Sequence, residues 1–486
     1  MNSALVIMGA SFVLALGLGV YARRGHTMNL EQWSLGGRGF GSILVFVLMA
    51  GEIYTTFTFL GGSGWAYGKG GPTFYILCTG SIAYGMSYFL LPIIWRYAKT
   101  HDLVSQADFF IAKYDSRSLG VLVALVSVVA LVPYLVVQLT GMGILVSEAS
   151  YGSITPRTAI WTGSIGLVAY VVASGIRGAA WTAAVKDVLI LGVAVFVGVY
   201  LPSHYYGGYG AMFAAIEVAK PGFFALPASG MSVSWFISTI LLTSMGFYMW
   251  PHTFGTVYTA KNEQVFRKNA VVLPLYQLVL LFVFFAGFAA VLQVPGLTGA
   301  QADLSLLRVS RLAFSPWMVG VIGAAGILTA LVPGSMLLLS ASTILAQNVY
   351  RELVPTADDR RVTLVARAAV PVVAAIAVGL ALRGGAAIVP LLLMGYSLVT
   401  QLFPALILSL GERPRATAAG AFAGILTGEI TVAYMTISGS TLAKLLPTAP
   451  QMVKDLNVGL VAMIANVVVL ASVSALSSPR RSARSH

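Results

Sequence analysis

Charge is scarce in this chain. Asp, Glu, Lys and Arg make up 9% of its 486 residues, against about 25% in an ordinary soluble domain. With 58% hydrophobic residues, that scarcity excludes a water-soluble globular protein. Cysteine is almost missing: Cys78 stands alone, so no disulfide can form within the chain. Nucleotide and metal signatures are missing too. There is no P-loop, no HExxH string and no Cys/His metal spacing, and Gly37-Arg38-Gly39 falls in a loop with no strand before it. No segment is long enough to fold as a cytoplasmic nucleotide domain, which excludes an ATP-driven pump. No enzyme activity, cofactor or resident metal is expected. The net charge of +13 does not mark a nucleic-acid binder, because no basic cluster is interleaved with aromatics. The alternating ten-residue segments of a transmembrane barrel are absent as well.

What is present is a succession of apolar stretches near 20 residues, the length a helix needs to cross about 30 Å of hydrocarbon. The reading is an all-α polytopic membrane protein of about thirteen transmembrane helices. They fall at roughly 4–22, 41–66, 72–96, 118–147, 156–177, 179–203, 231–252, 270–294, 316–349, 362–382, 386–410, 415–436 and 456–476. Residues 1–486 read as a single transmembrane domain with no soluble insertion. Arg23 and Arg24 follow the first span at once, the wrong polarity for a cleaved signal peptide and a sign of an outside amino terminus. With that start, twenty of the 29 Lys and Arg fall inside, among them Arg38, Arg177, Arg351, Arg367, Arg480, Arg481 and Arg484. Eight fall outside, including Lys69, Arg308 and Arg311. Positive charge prefers the cytoplasmic side, so the carboxyl terminus is expected inside, with a disordered basic tail over residues 477–486.

One acid lies in the middle of the second span, Glu52, flanked by Gly51 and by Tyr54, Thr55 and Thr56. A carboxylate deep in hydrocarbon is costly, so such residues mark binding sites or ion pathways. The surrounding glycine and hydroxyls suit a helix that unwinds where it meets a solute. Gly61-Gly62-Ser63-Gly64 follows in the same span. Five spans later, running the opposite way, Thr243-Ser244-Met245-Gly246 and Trp250-Pro251-His252 interrupt the seventh span. Interrupted helices at matching places in oppositely oriented halves point to an inverted-repeat transporter. The halves are expected at 41–203 and 231–410, with 4–22 and 415–476 peripheral.

These motifs resemble the sodium:solute symporter family, which includes proline, glucose, pantothenate and monocarboxylate carriers. The similarity runs over nearly the whole chain. It includes Gly61 to Tyr67, the amphipathic stretch Ala107 to Tyr114, Gly175 to Thr182, Pro251-His252 with Thr259 to Lys261, and Ser342 to Tyr350. The resemblance implies a leucine-transporter-type core of spans two to eleven, working by alternating access. Among the branches it is most similar to carriers of small monocarboxylates such as pyruvate, lactate and acetate, or of alanine. Two departures stand out. Sodium-using members usually supply two adjacent hydroxyls from the ninth span, where counting back from Tyr350 puts Val332-Pro333. Ser335 and Thr329, three residues to either side of Val332, remain ion-ligand candidates. The aspartate that normally follows the Trp-Thr of the sixth span is Ala183, and one turn on stands Lys186. Some proton-coupled relatives of the fold place a lysine amine where sodium would bind, and a desolvated lysine is a credible proton carrier.

The coupling-site candidates are therefore Glu52, Lys186, Asp187, Thr329 and Ser335. The solute candidates are Gly51, Tyr54, Thr55, Thr56, Gln138, Thr243, Ser244, Tyr248 and Trp250. Against each stands a plainer role. Glu52 could bond a nearby hydroxyl, Lys186 could snorkel to the surface, and any hydroxyl could bond its own helix. Asp187 points about 100° away from Lys186 around the helix, so the two need not pair. Glu429 and His252 are read as structural. The function expected is import of a small organic solute at the cell membrane by cation-coupled symport, with protons favoured over Na+, and no nucleic acid or obligate protein partner. The alternatives are a sodium-coupled carrier of proline, pantothenate or sugar, and a sensor or channel on the same fold; a sensor usually carries an appended signalling domain.

Overall fold

Hydrophobic side chains surround most segments on every side, and a chain in lipid must satisfy its backbone polar groups internally, so nearly the whole sequence is helix. The computed structural model describes residues 2–25 and 28–478; the basic tail beyond Ser478, with Arg480, Arg481 and Arg484, lies outside the described residues. Helix starts are marked in the sequence. Asn2, Ser105, Ser116, Thr155, Thr417 and Asn457 each accept a hydrogen bond from a first-turn amide. Among the described residues there is no strand, only a single bridge between Phe40 and Ala260.

Among the described residues, ten helices are long and apolar enough to cross a membrane, or eleven when the bent pair Val233–Met249 and Pro251–Tyr258 is taken as one span. The count of thirteen is not reached on that criterion. Two features separate the numbers. Pro156–Tyr206, counted once among the ten, joins two helices across a non-helical kink at Gly175 (φ 56°, ψ −156°), close to the boundary expected between the 156–177 and 179–203 spans. Ser42–Gly51 and Gly62–Lys69 are each too short to cross alone.

The second span is indeed interrupted, but only once. Ser42–Gly51 ends at Glu52, and helix resumes at Phe57. The Gly61-Gly62-Ser63-Gly64 run that follows in the same span is helical. Its glycines serve close packing instead: a methyl group on Gly61 would collide with Ile388, and one on Gly64 with Asp303. The seventh span keeps its helix through Gly246, then turns by 48° at Trp250, before Pro251 starts the next segment. Proline suits that first helical position because its missing N–H would have no partner there.

The two ends of the bundle are held differently. At the end rich in Arg and Lys, called here the basic face, Phe40 and Lys261 exchange backbone hydrogen bonds with the segment of the other (Phe40 N to Thr259 O, 3.0 Å; Lys261 N to Phe40 O, 2.9 Å). This ties the entry of the first broken span to the exit of the second. Ser105 and Asp108 form a capping box there, and Asn348 donates to Asp108 at 2.6 Å. At the opposite face, Glu148 holds Arg311 (2.6 Å) and Arg308 (3.5 Å). Beside them Asp303, buried against the first broken span, accepts from the Ile388 amide at 3.0 Å.

Burial pushes the Asp303 carboxyl up to about 7, against an opposing pull from the Ile388 N–H. Because folding raises this value, the folded state holds the proton more tightly than the unfolded chain. That contribution is complete below about pH 4, the unfolded value, and is lost as pH rises to about 7. Asp303→Asn keeps an acceptor for Ile388 but cannot ionise. Its melting temperature should show a flatter dependence on pH across that window than the wild type, measured by differential scanning fluorimetry in detergent.

Candidate functional site

Unwinding a helix inside a bundle frees carbonyl oxygens that water cannot reach. At the break after Gly51 those oxygens meet an ammonium group. Lys186, on the Pro156–Tyr206 helix beyond its kink, donates from Nζ to the carbonyls of Gly51 (2.9 Å) and Tyr54 (3.1 Å). Its side chain is 0% exposed, and the Asp187 carboxylate lies 2.9 Å from Nζ. The two neighbours do pair, although their backbone directions diverge, because the long lysine stem bends back to its neighbour. The residues read as lost ion ligands converge on the same point. A methyl group placed on Gly51 would stand 3.4 Å from Nζ of Lys186, 3.8 Å from Cβ of Ala183 and 3.9 Å from Cγ1 of Val332. Pro333 also lacks the amide that would bond the Thr329 carbonyl one turn earlier. The set of backbone oxygens suits a cation. The nearby side chains Ala183 and Val332 offer it none.

Two threonines close the rest of the break. Thr58 donates to the carbonyls of Ile53 (2.6 Å) and Thr55 (3.1 Å), and its oxygen accepts from the Thr55 amide. Thr55 Oγ1 accepts from the Phe57 amide at 3.2 Å. Glu52, half-buried at the turn, accepts from Thr253 at 2.9 Å and from Thr256 at 3.5 Å. Both threonines lie on Pro251–Tyr258, so this carboxylate joins the two broken spans, near a helix start whose dipole favours an anion.

Beside the break lies a chamber with about 480 Å³ of empty space. Glu52, Thr79, Tyr84, Tyr134, Gln277 and Tyr396 supply much of its polar lining, and Ile53, Phe57, Leu280 and Leu392 its apolar one. Trp250 stands between Tyr134 and Tyr396, with ring centroids 5.0 and 5.3 Å away. Tyr75, Trp65 and Trp235 form a second aromatic cluster at one edge, with centroids within 5.8 Å of one another.

The sequence candidates divide among these features. Glu52 and Thr243 line the chamber, and Gly51 and Tyr54 offer their carbonyls to Lys186. The Tyr54 hydroxyl instead donates to the Tyr276 carbonyl at 3.1 Å. Thr243 also bonds Thr79 (2.7 Å), and Ser244 donates to the Thr79 carbonyl (3.2 Å), pinning the second broken span to Tyr75–Thr100. Thr329 and Ser335 donate to their own helix, at Gly326 and Val332, both at 2.6 Å. Thr56, Gln138, Tyr248 and Trp250 each bury a side-chain polar atom with no hydrogen-bond partner. Such groups are costly unless something completes them. The sequence reading missed Thr79, Tyr84, Tyr134, Gln277 and Tyr396. Their signal was an excess of hydroxyls and an amide in spans three, four, eight and eleven, weaker than a mid-membrane charge.

Two broken helices with a polar chamber between them, in a bundle of membrane-length helices, are the architecture of a secondary transporter. The family model for the sodium:solute symporter family matches residues 33–428. The chain belongs to that family, which implies a multi-pass membrane protein that imports a small solute with a cation. It is 59% identical to the uncharacterized symporter YhjB of Bacillus subtilis, over 99% of both chains. Identity is 29% to a monocarboxylate transport permease of Rhizobium johnstonii, over 74% of this chain and 73% of that one. The fold matches that of a Na+-coupled sialic acid symporter solved in a substrate-bound outward-open state, with a TM-score of 0.82 at 16% identity over 99% and 98% of the chains.

Truncating one partner of a buried ion pair leaves the other charge uncompensated, at about 3–5 kcal/mol. Lys186→Met alone should therefore lower the melting temperature more than Lys186→Met combined with Asp187→Leu. Equal losses in a thermal scan would show that the pair does not act as a unit.

Proposed function

We propose that this protein imports a small monocarboxylate, or alanine, and that a proton on Lys186 takes the part a sodium ion plays elsewhere in the family. One observation carries the coupling reading: the Lys186 ammonium bonds the Gly51 and Tyr54 carbonyls at the break, where Ala183 and Val332 supply no oxygen. The charged amine ties the break to the Pro156–Tyr206 helix. Loss of its proton weakens those hydrogen bonds, which are strongest when the donor is charged, and frees the break to move. Asp187 supplies the local counter-charge. The basic face is cytoplasmic in this reading, the amino terminus outside, and the halves 41–203 and 231–410 move against each other.

The chamber narrows the cargo. An ionised Glu52 repels a second carboxylate in a low dielectric, so an anionic solute enters with a proton shared between the two. An amino acid would instead set its ammonium against Glu52. The monocarboxylate permease among the relatives supports the first alternative. Thr329 and Ser335 stay secondary ion candidates, since each hydroxyl retains a lone pair.

Uptake into sodium-free proteoliposomes should follow a pH gradient alone and vanish in Lys186→Ala. Uptake that needs a sodium gradient at fixed pH would overturn the proton reading and favour a sodium-coupled carrier.

Glu52→Gln separates the cargoes. For a monocarboxylate, counterflow should survive while pH-driven accumulation is lost; for alanine, counterflow itself should fail. Labelled lactate, acetate and alanine measured in parallel decide between them.

A further inference from the structure

A second cavity, with about 380 Å³ of empty space, lies on the basic-face side of the second break. Its polar lining is largely committed. Gln106 donates to the Met249 carbonyl (2.8 Å) and accepts from Ser127 (3.1 Å), and Ser105 donates to Asn348 (2.7 Å). Two lining residues differ. His252 and Thr343, each 4% exposed, bury Nδ1 and Oγ1 respectively without a hydrogen-bond partner. They come from different helices, Pro251–Tyr258 and Pro316–Ile344. Both can donate a hydrogen bond, and Met336 and Leu339 give the same space an apolar wall.

The cavity adjoins the central chamber across one thin partition. Thr253 faces Glu52, which lines the chamber, while the preceding residue, His252, lines the second cavity. The Tyr134 and Trp250 rings close the partition against His252, at centroid distances of 5.7 and 5.9 Å. His252 therefore stands on the wall between the chamber and the second cavity, which Thr343 also lines.

We infer that His252 and Thr343 form a second, weaker subsite for a small carboxylate, occupied on release. Two neutral donors match the two oxygens of a carboxylate, the helix start at Pro251 favours an anion, and the apolar wall takes a short alkyl group. The absence of a fixed cation in this pair makes the hold brief, as release requires. The inference rests on the monocarboxylate reading above, and its test is separable from that reading.

The full-length protein, labelled with 15N-histidine and reconstituted in nanodiscs, carries five histidines. The His252 resonances are assigned by their loss in His252→Gln. Acetate should shift them saturably, whereas chloride and methyl acetate should not. Thr343→Val, which removes one donor, should weaken the response about tenfold, the equivalent of one hydrogen bond. Acetate counterflow is measured on the same wild-type preparation. Counterflow with silent His252 resonances overturns the subsite and leaves the transport reading standing. A saturable shift without counterflow overturns the transport reading instead. An identical shift with chloride, or one unchanged in Thr343→Val, also overturns the subsite.

Discussion

One constraint underlies this architecture: a helix opened inside lipid must give its freed carbonyls a partner, and here the partner is covalently part of the protein. A mobile ion in that position would make the closed break depend on occupancy. A tethered ammonium makes it depend on the placement of one helix relative to another. Lys186 extends from beyond the kink at Gly175, so the kink, the lysine and the break form one mechanical unit. Asp187 lowers the cost of burying the charge, and the small Ala183 leaves room for the stem.

Around that unit the two broken spans are joined twice. Near the middle, the Glu52 carboxylate receives Thr253 and Thr256; at the basic face, Phe40 and Lys261 share backbone hydrogen bonds. The first link is side chain to side chain and exchangeable for bonds to a solute. The second is backbone to backbone and indifferent to what the chamber holds. In the proposed function, a solute that competes for Glu52 loosens the central link before the peripheral one. Cavities on both sides of the Trp250 and His252 partition give such a change somewhere to lead.

Much of the architecture was legible from one dimension. The apolar lengths located most spans, and Glu52, Gly51 and Pro251 marked both interruptions, because a mid-membrane charge and a missing amide are costly wherever the helix packs. The glycine run 61–64 stood out in the sequence as a group of helix-breaking residues, yet glycine permits close packing as readily as unwinding. Here Asp303, Ile388 and Phe284 occupy the space beside it. Thr55, Thr243 and Ser244 were read as solute contacts, and their hydrogen bonds serve the fold: Thr55 steadies the break, and the other two anchor one helix to Thr79.

Residue type and order alone were enough for the class of protein and the position of its interruptions, and the family resemblance pointed to Ala183 and Val332 as positions without an oxygen ligand. Folding in three dimensions turns Lys186 into the break to pair with Asp187, gathers three tyrosines, a threonine and an amide from four spans around one chamber, and brings His252 and Thr343 to a second. A side chain's partner in a bundle is set by helix rotation and packing. Residues more than a hundred positions apart therefore meet by geometry that no local spacing encodes.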